Sequence, residues 1–494
     1  MQPQFRFFTL PRELRDMIYE YYLTTEEGYF YNHETGQLVA ANKGRVDLAL
    51  AYTCTQAAAE MQGLALSLNS IHFSTAYDDA LRSRAGRFRD LLVTIECTKS
   101  CLVNAIHPCI DDETVSKLAR VYPQFLPIVH RLRNVGAVRL FRDYSWGEVP
   151  SLCRQFHSAT LDLVSDHPDF HEAVSDDVPV GWLHGRLSEL LSLDDSPWKI
   201  PLDRDISNIC RILDQDPQNP PRSHECWKRE KYRFSAASVA IQFLGSLPVK
   251  SRRQIRRVVL EEDRVSVAWP ECHAQGLIPL CQENPLLRVE RWVNLWRNVL
   301  PAGSSPVRVV AHRGNACYRV EDQMDRLVSA DVTGRCIAPW IMEALALGRL
   351  GMPPESFTLI LDGQPTPDKS AQVFEIVQRD AAWQAAFEKC WYEKTNPPDW
   401  FRMRRTQSFI MRGFPEAIHD IVYGHSIVQC NFELGDTWDI HGLVQMGRNW
   451  TMDDWERKWR VHEPKDFGTD PPLPDWYSLR LEEALEKKED DFDD

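Results

Sequence analysis

The chain has 494 residues, 43% of them hydrophobic and 26% charged, and a formal net charge of −14. That length suggests about two to four structural units. The composition can fill sizeable cores, and the negative balance disfavours broad attraction to nucleic acid or an anionic membrane surface. No stretch reaches the roughly 18 uninterrupted apolar residues of a membrane span; the longest candidate, "CIAPWIMEALALG", is broken by Glu343. The 13 cysteines are odd in number and scattered. They fit reduced thiols of an intracellular protein, cytoplasmic or nuclear, better than a secreted disulfide framework. The opening "MQPQFRFFTL" lacks the charged-then-apolar layout of a signal peptide.

In chain order, the first element is "TLPRELRDMIYEYYL", residues 9–23. Leu10, Leu14, Met17, Ile18 and Tyr21 recur at helical spacing, with Arg12, Glu13, Arg15, Asp16 and Glu20 opposite. Thr9 can cap this helix, and Pro11 sits in its first turn, where a missing N–H is harmless. The segment "GYFYNHETGQLVAA" reads as a hairpin, residues 47–68 as one helix, and "NSIHFST" as a short strand. Within this unit Leu14 and Ile18 are expected mainly buried against the 47–68 helix, with Met17, Tyr21 and Tyr22 partly exposed.

From Asp79 to Leu247 the pattern is chiefly helical, with Pro- and Asp-rich connectors at 166–181, 194–205 and 213–223. "RRVVLEEDRVSVAW" reads as a strand or hairpin, and "LLRVERWVNLWRNV" as a helix. "SFTLIL" is a predicted strand, followed by a turn and the helix "SAQVFEIVQRDAAWQAAFEKC". Eight of the 16 tryptophans fall between Trp383 and Trp476, and no 20–50-residue period marks a solenoid. From Glu482 the tail holds eight acids against two lysines and reads as solvated. The expected fold is mostly α, of the α+β class: a 1–77 module, a helical 78–310 region, a mixed Trp-rich 311–470 region and an acidic 471–494 tail.

The motifs that carry chemistry are few. "GQPTPDKS", residues 363–370, has Asp368 where a phosphate-binding loop has its second glycine, and two prolines remove donors such a loop uses. Cys97, Cys101, His107 and Cys109 are suitable zinc ligand types, yet no second pair follows them. Cys272 adjoins His273, and Cys226 follows His224, but a nucleophile and its base converge from different elements. Glu261, Glu262 and Asp263 could hold a cation; a charged turn at a strand end is the commoner reading. "KSRRQIRR", residues 250–257, is the densest basic run, a polyanion patch or a solvated surface paired with nearby acids. No catalytic residue, cofactor or metal is assigned, leaving enzyme activity undecided and the balance toward a non-catalytic protein.

The opening stretch resembles the F-box-like N-terminal domain of a large group of uncharacterised filamentous-fungal proteins. The likeness is carried by Leu10, Pro11, Glu13, Leu14 and Ile18, then Tyr22 and Leu23. Thr53, Cys54, Gln56, Glu60, Asn69 and Phe73 resemble the block that follows in that group, with Thr55 where the block has arginine. The resemblance implies docking through Leu10, Pro11, Leu14, Met17, Ile18, Tyr21 and Tyr22, helix-in-groove fashion. The implied partners are a Skp adaptor and a cullin–RING ubiquitin ligase, with the rest of the chain selecting a substrate protein. A scaffold or regulatory protein without a ubiquitin link, or an enzyme with an unrecognised site, is the alternative.

Overall fold

The structure, a computed structural model, describes the chain apart from residues 1–6, 43, 137–145, 178–185, 216–229, 304–326, 329–331, 393–398, 407, 463–465 and 486–494. Nine strands are described: β1 (Tyr29–Asn32), β2 (Gln37–Ala40), β3 (Ser70–Ser74), β4 (Arg257–Glu262), β5 (Arg288–Asn294), β6 (Leu327–Val328), β7 (Phe357–Asp362), β8 (Val428–Cys430) and β9 (Asp466–Phe467). Seven of them form one sheet in the order β2-β1-β3-β4-β5-β7-β8, while β6 and β9 make a separate pair. Only the β1–β2 hairpin is antiparallel in the large sheet; every other neighbour is parallel. The sheet takes β1–β3 from residues 1–77, β4 and β5 from 78–310, and β7 and β8 from 311–470.

Parallel neighbours need a crossover. Between β3 and β4 the crossover is the whole helical body. Between β4 and β5 it is the turn Pro270–Leu277 and the helix Ile278–Glu283. The helix Ala338–Ala346 lies between β5 and β7, and the helices Pro367–Tyr392 and Phe414–Val422 between β7 and β8. One face of the sheet is packed: Ile71, Phe73, Val258, Leu260, Val289, Val293, Leu359 and Leu361 are each 0–1% exposed. They share the largest core with the helices Ala236–Ser246 and Ala338–Ala346.

A second core holds the helices Asp79–Ala105, Leu126–Val135, Pro150–Val164 and Asp203–Ile212, with Phe125 and Phe156 stacked at 4.6 Å near its centre. A third gathers Trp383, Phe387, Trp455 and Trp459, so these C-terminal tryptophans are packing residues. The fold is therefore mostly α with one mixed sheet, the class expected.

Two elements differ from expectation. "LLRVERWVN" is strand β5, whose burial alternates residue by residue. A charged residue on the inward set, Arg291, hides that period-2 pattern in the sequence. The 47–68 helix is instead a short 3-10 turn, Ala49–Tyr52, and two helices, Thr55–Glu60 and Leu64–Leu68. Cys54 adopts an extended conformation and caps Ala57, and Gly63 takes a left-handed φ of +80° between the helices. A left-handed residue ends a helical run, and glycine reaches that region without a Cβ penalty.

Inside the main core lies an ion pair. Glu262 and Arg291 have side chains 0% and 1% exposed and meet at 2.6 Å. Glu262 also accepts from the N–H groups of Ala236 and Ala237, the first turn of the Ala236–Ser246 helix. Arg291 also donates to the Pro270 carbonyl and stands over the Trp340 ring.

The acidic end is also not solvated throughout. Trp476 is fully buried, Glu482 pairs with Arg264 and Arg297, and Glu483 pairs with Arg233 in a buried contact. The nine residues 486–494 lie outside the described residues.

Arg291→Met should cost about 3–5 kcal/mol in denaturant unfolding, because it leaves Glu262 buried and unpaired. A chain ending at Leu481 should lose stability too, since Arg233 loses Glu483, whereas removing only residues 486–494 should move the melting midpoint by about a degree or two at most.

Candidate functional site

The N-terminal helix is Arg12–Leu23, and its buried residues are Arg15, Tyr19 and Leu23. Glu60, at the end of the Thr55–Glu60 helix, holds this face. Arg15 donates to its two carboxylate oxygens at 2.8 and 2.9 Å, the Tyr19 hydroxyl donates at 2.9 Å, and Gln56 at 3.0 Å. Arg15 first, then Gln56 and Tyr19, pull the Glu60 carboxyl down to about 2. Asn69 completes the latch, accepting from Thr25 and donating to the carbonyls of Leu23 and Ala65. Glu60 and Asn69, two residues that carry the family resemblance, thus have structural work here.

The consequence is a polar anchor turned inward and an apolar stripe turned outward. Leu14 is 45% exposed, Met17 63%, Ile18 40% and Tyr21 90%. Pro11 is exposed beside them, while Leu10 and Tyr22 are half-buried, the Tyr22 hydroxyl accepting from the Leu50 N–H. The expectation that Leu14 and Ile18 are mainly buried is corrected. Each is replaced inside by its successor, Arg15 and Tyr19, a rotation of about 100° at 3.6 residues per turn. The local core under the helix is made by Tyr19, Leu23 and Met61, with Phe7, Leu50 and Leu64 around them.

The second candidate surface is the other face of the sheet. The register sets Phe30 beside His72 and His72 beside Val259; Val259 in turn neighbours Glu290, and Glu261 neighbours Trp292, Ile360 and Gln429 in turn. The polar contacts of these residues stay within the face. Phe30 stacks on His72 at 4.7 Å, His72 bonds Ser70 and Glu261, and Arg257 pairs with Glu290. At the carboxyl ends of the strands, Asp263 accepts from Thr75, and Asp362 from Asn294 and Asn431. A cavity of about 380 Å³ lies along His72, Glu261, Trp292, Asn294 and Asp362.

A smaller cavity of about 340 Å³ lies where the helical body meets the sheet layer, with Arg89, Tyr232, Ser266, Trp269 and Glu483 among its walls. Ala268 and Trp269 there are consecutive non-glycine residues at φ +65° and +58°, strained conformations that persist only when surrounding structure fixes them.

The residues that suggested chemistry disperse. Cys272 lies within 3.2 Å of the Trp269 carbonyl and 3.4 Å of Arg154, and burial pushes its thiol up. Its neighbour His273 instead meets Ser235 and Ser238 and the Ala268 carbonyl, and burial lowers it to about 3. His224 and Cys226 lie outside the described residues. Cys97 and Cys101 sit on the helix Asp79–Ala105 and His107 and Cys109 in the next turn. Among the described residues there is no group of three or more His, Cys, Asp or Glu placed to hold a metal ion.

In "GQPTPDKS" the Ser370 hydroxyl is already engaged, donating to the Gly363 carbonyl and accepting from the Trp296 indole. Of the basic run, Arg252 grips Glu283 through two nitrogens, and Arg257 grips Glu290. The described cysteines are free thiols.

One further constellation carries a sequence signal, the i, i+4 pair in "CRQFH". His157 lies 3.8 Å from Cys153 Sγ and 2.7 Å from Glu96. Burial alone would lower the ring; Cys153 and Glu96 outweigh it and raise it to about 10. Cys153 is 6% exposed within the helical core, so the trio packs rather than faces a substrate.

No described helix is long and apolar enough to cross a membrane. No protein-family model, curated protein or solved structure matches the chain.

Two carboxyls, half-buried Glu60 and buried Glu343, should titrate with opposite signs. Glu60, held at about 2, contributes stability that is present above its ordinary value near 4.5 and lost as pH falls toward 2. Glu343, raised by burial to about 7, contributes stability that is full below 4.5 and lost as pH rises through 7. Melting temperature followed against pH should therefore lose part of its decline between 4.5 and 7 in Glu343→Gln, and part of its acid limb in Glu60→Gln.

Proposed function

We propose that the chain is a non-catalytic protein–protein interaction protein of the cytoplasm or nucleus. In this reading it is an F-box-like substrate-recognition adaptor: the N-terminal helix docks on a Skp adaptor of a cullin–RING ligase, and the remainder selects the substrate protein. The observation that carries this reading is the outward stripe of Leu14, Met17, Ile18 and Tyr21 on a helix whose other face is fixed by Glu60. Residues at i, i+3, i+4 and i+7 form one continuous apolar face, the pattern an amphipathic helix uses in a partner's groove. Solvent exposure of such a face has a cost that a partner removes. Docking would use Leu14, Met17, Ile18 and Tyr21 at the centre, with Leu10, Pro11 and Tyr22 at the margin.

The test places a charge on the stripe. Ile18→Asp is expected to leave stability within about 0.5 kcal/mol, as for an exposed site, and to abolish capture of purified Skp adaptor. A loss of about 3 kcal/mol or more would mean that the stripe is core. Undiminished capture, or no capture by the unsubstituted chain, would remove the adaptor reading.

A further inference from the structure

We propose that the bare face of the sheet is a docking surface for a basic segment of a partner protein. An apolar or aromatic side chain of that segment rests on Trp292, and flanking Lys or Arg residues meet Glu261, Asp263 and Asp362. The proposal rests on the reading of the chain as an interaction protein, and supplies the chemistry of what its body selects.

Parallel sheets are as a rule covered on both faces. Here the inner face is 0–1% exposed along β3, β4, β5 and β7, and the contacts of the outer face described above are all made within the sheet and its loops. The row from His72 to Asp362 borders open space, the cavity of about 380 Å³. The face is not uniformly polar: Val259 and Ile360 are each only 6% exposed, and half-buried Trp292 stands beside Ile360 in register. A tryptophan on an apolar floor with a polar rim is the composition of an interface centre.

Charge chooses the occupant. Glu290 is neutralised by Arg257. Among the described residues, Asp263 and Asp362 have only neutral donors, Thr75 for one and Asn294, Asn431 and the Gln364 N–H for the other. Glu261 has only His72, which also bonds Ser70. Neutral donors orient a carboxylate without cancelling its charge, so this end of the face keeps a negative potential. A guanidinium or ammonium gains a charge-assisted bond there and can also stack on Trp292. The same potential repels nucleic acid and anionic lipid. The 380 Å³ cavity along the row gives a large side chain room to enter.

The experiment uses the full chain and fluorescein-labelled dodecapeptides that alternate Lys or Arg with Leu or Trp, against a matched set carrying Glu for every Lys and Arg. Anisotropy should show binding of the basic set alone, weakened by salt. Trp292→Ala and the double variant Glu261→Gln, Asp362→Asn should each weaken it by about tenfold or more with melting unchanged. Equal affinity in wild type and the double variant would place binding elsewhere on an acidic protein and overturn the proposal. So would absence of binding, or equal binding of the Glu set. A wild-type dimer in light scattering that Trp292→Ala dissociates would assign the face to a second copy of the chain instead. Skp capture measured in parallel keeps the two readings apart, because the sheet variants leave the N-terminal stripe intact and Ile18→Asp leaves the sheet face intact.

Discussion

The buried pair of Glu262 and Arg291 is the constraint on which the sheet layer depends. Arg291 donates to Glu262 through both Nε and Nη2, and Glu262 takes the first two amides of the Ala236–Ser246 helix. Strand β4, strand β5, that helix and the turn at Pro270 therefore meet at one carboxylate. A one-residue slip of β5 against β4 would strand two charges in the interior, at a cost of several kcal/mol. The pair has an equal effect on the outside. Side chains alternate along a strand, so fixing Glu262 and Arg291 inward obliges Glu261 and Trp292, their chain neighbours, to point out. The character of the open face follows from a charge pair on the closed one.

The N-terminal helix repeats the device on a smaller scale. Had its apolar residues gone inward, Leu14 and Ile18 would have lain on the 55–68 helices. Glu60 instead offers two oxygens at the spot where Arg15 and Tyr19 arrive, and a carboxylate held by a two-point guanidinium contact and a phenol is a strong directional partner. The turn of about one residue that this requires is what exposes the stripe. In both places a polar latch, rather than hydrophobic burial alone, decides which apolar side chains face water.

That is also why the sequence was legible only in part. Elements whose period is carried by apolar residues could be read: the first helix, the hairpin, the strand at "SIHFS", the helical stretch between β3 and β4, and β7 with the helix after it. β5 could not, because Arg291 occupies an inward position and breaks the apolar–polar alternation of "RVERWVN". The orientation of the first helix could not, because Arg15 reads as solvent-facing until Glu60, 45 positions later, is brought to it. The sheet order was invisible for another reason. The crossovers range from a short turn and helix to a whole helical body, so strands adjacent in space recur at no fixed interval in the chain. The residues of the stripe were identifiable as a set; which side of the helix they served was a tertiary fact.

The sheet also bears on how two surfaces could work together. Strands β1 and β3 both follow the N-terminal helix in sequence and pair in parallel, and β3 pairs in turn with β4 over five residues. Asn69 ties the end of that helix to the start of β3 through the Leu23 carbonyl. The outward stripe is thus not on a tether: hydrogen bonds run from it through β3 into the strands that carry Glu261 and Trp292. The two faces differ in chemistry, one apolar and helical, the other charged and flat, so they suit different partners and do not compete. An adaptor of the proposed kind must hold its substrate at a set distance from the enzyme that modifies it. The Asn69 side chain and the β3–β4–β5 ladder together would supply that rigidity between the two proposed docking faces.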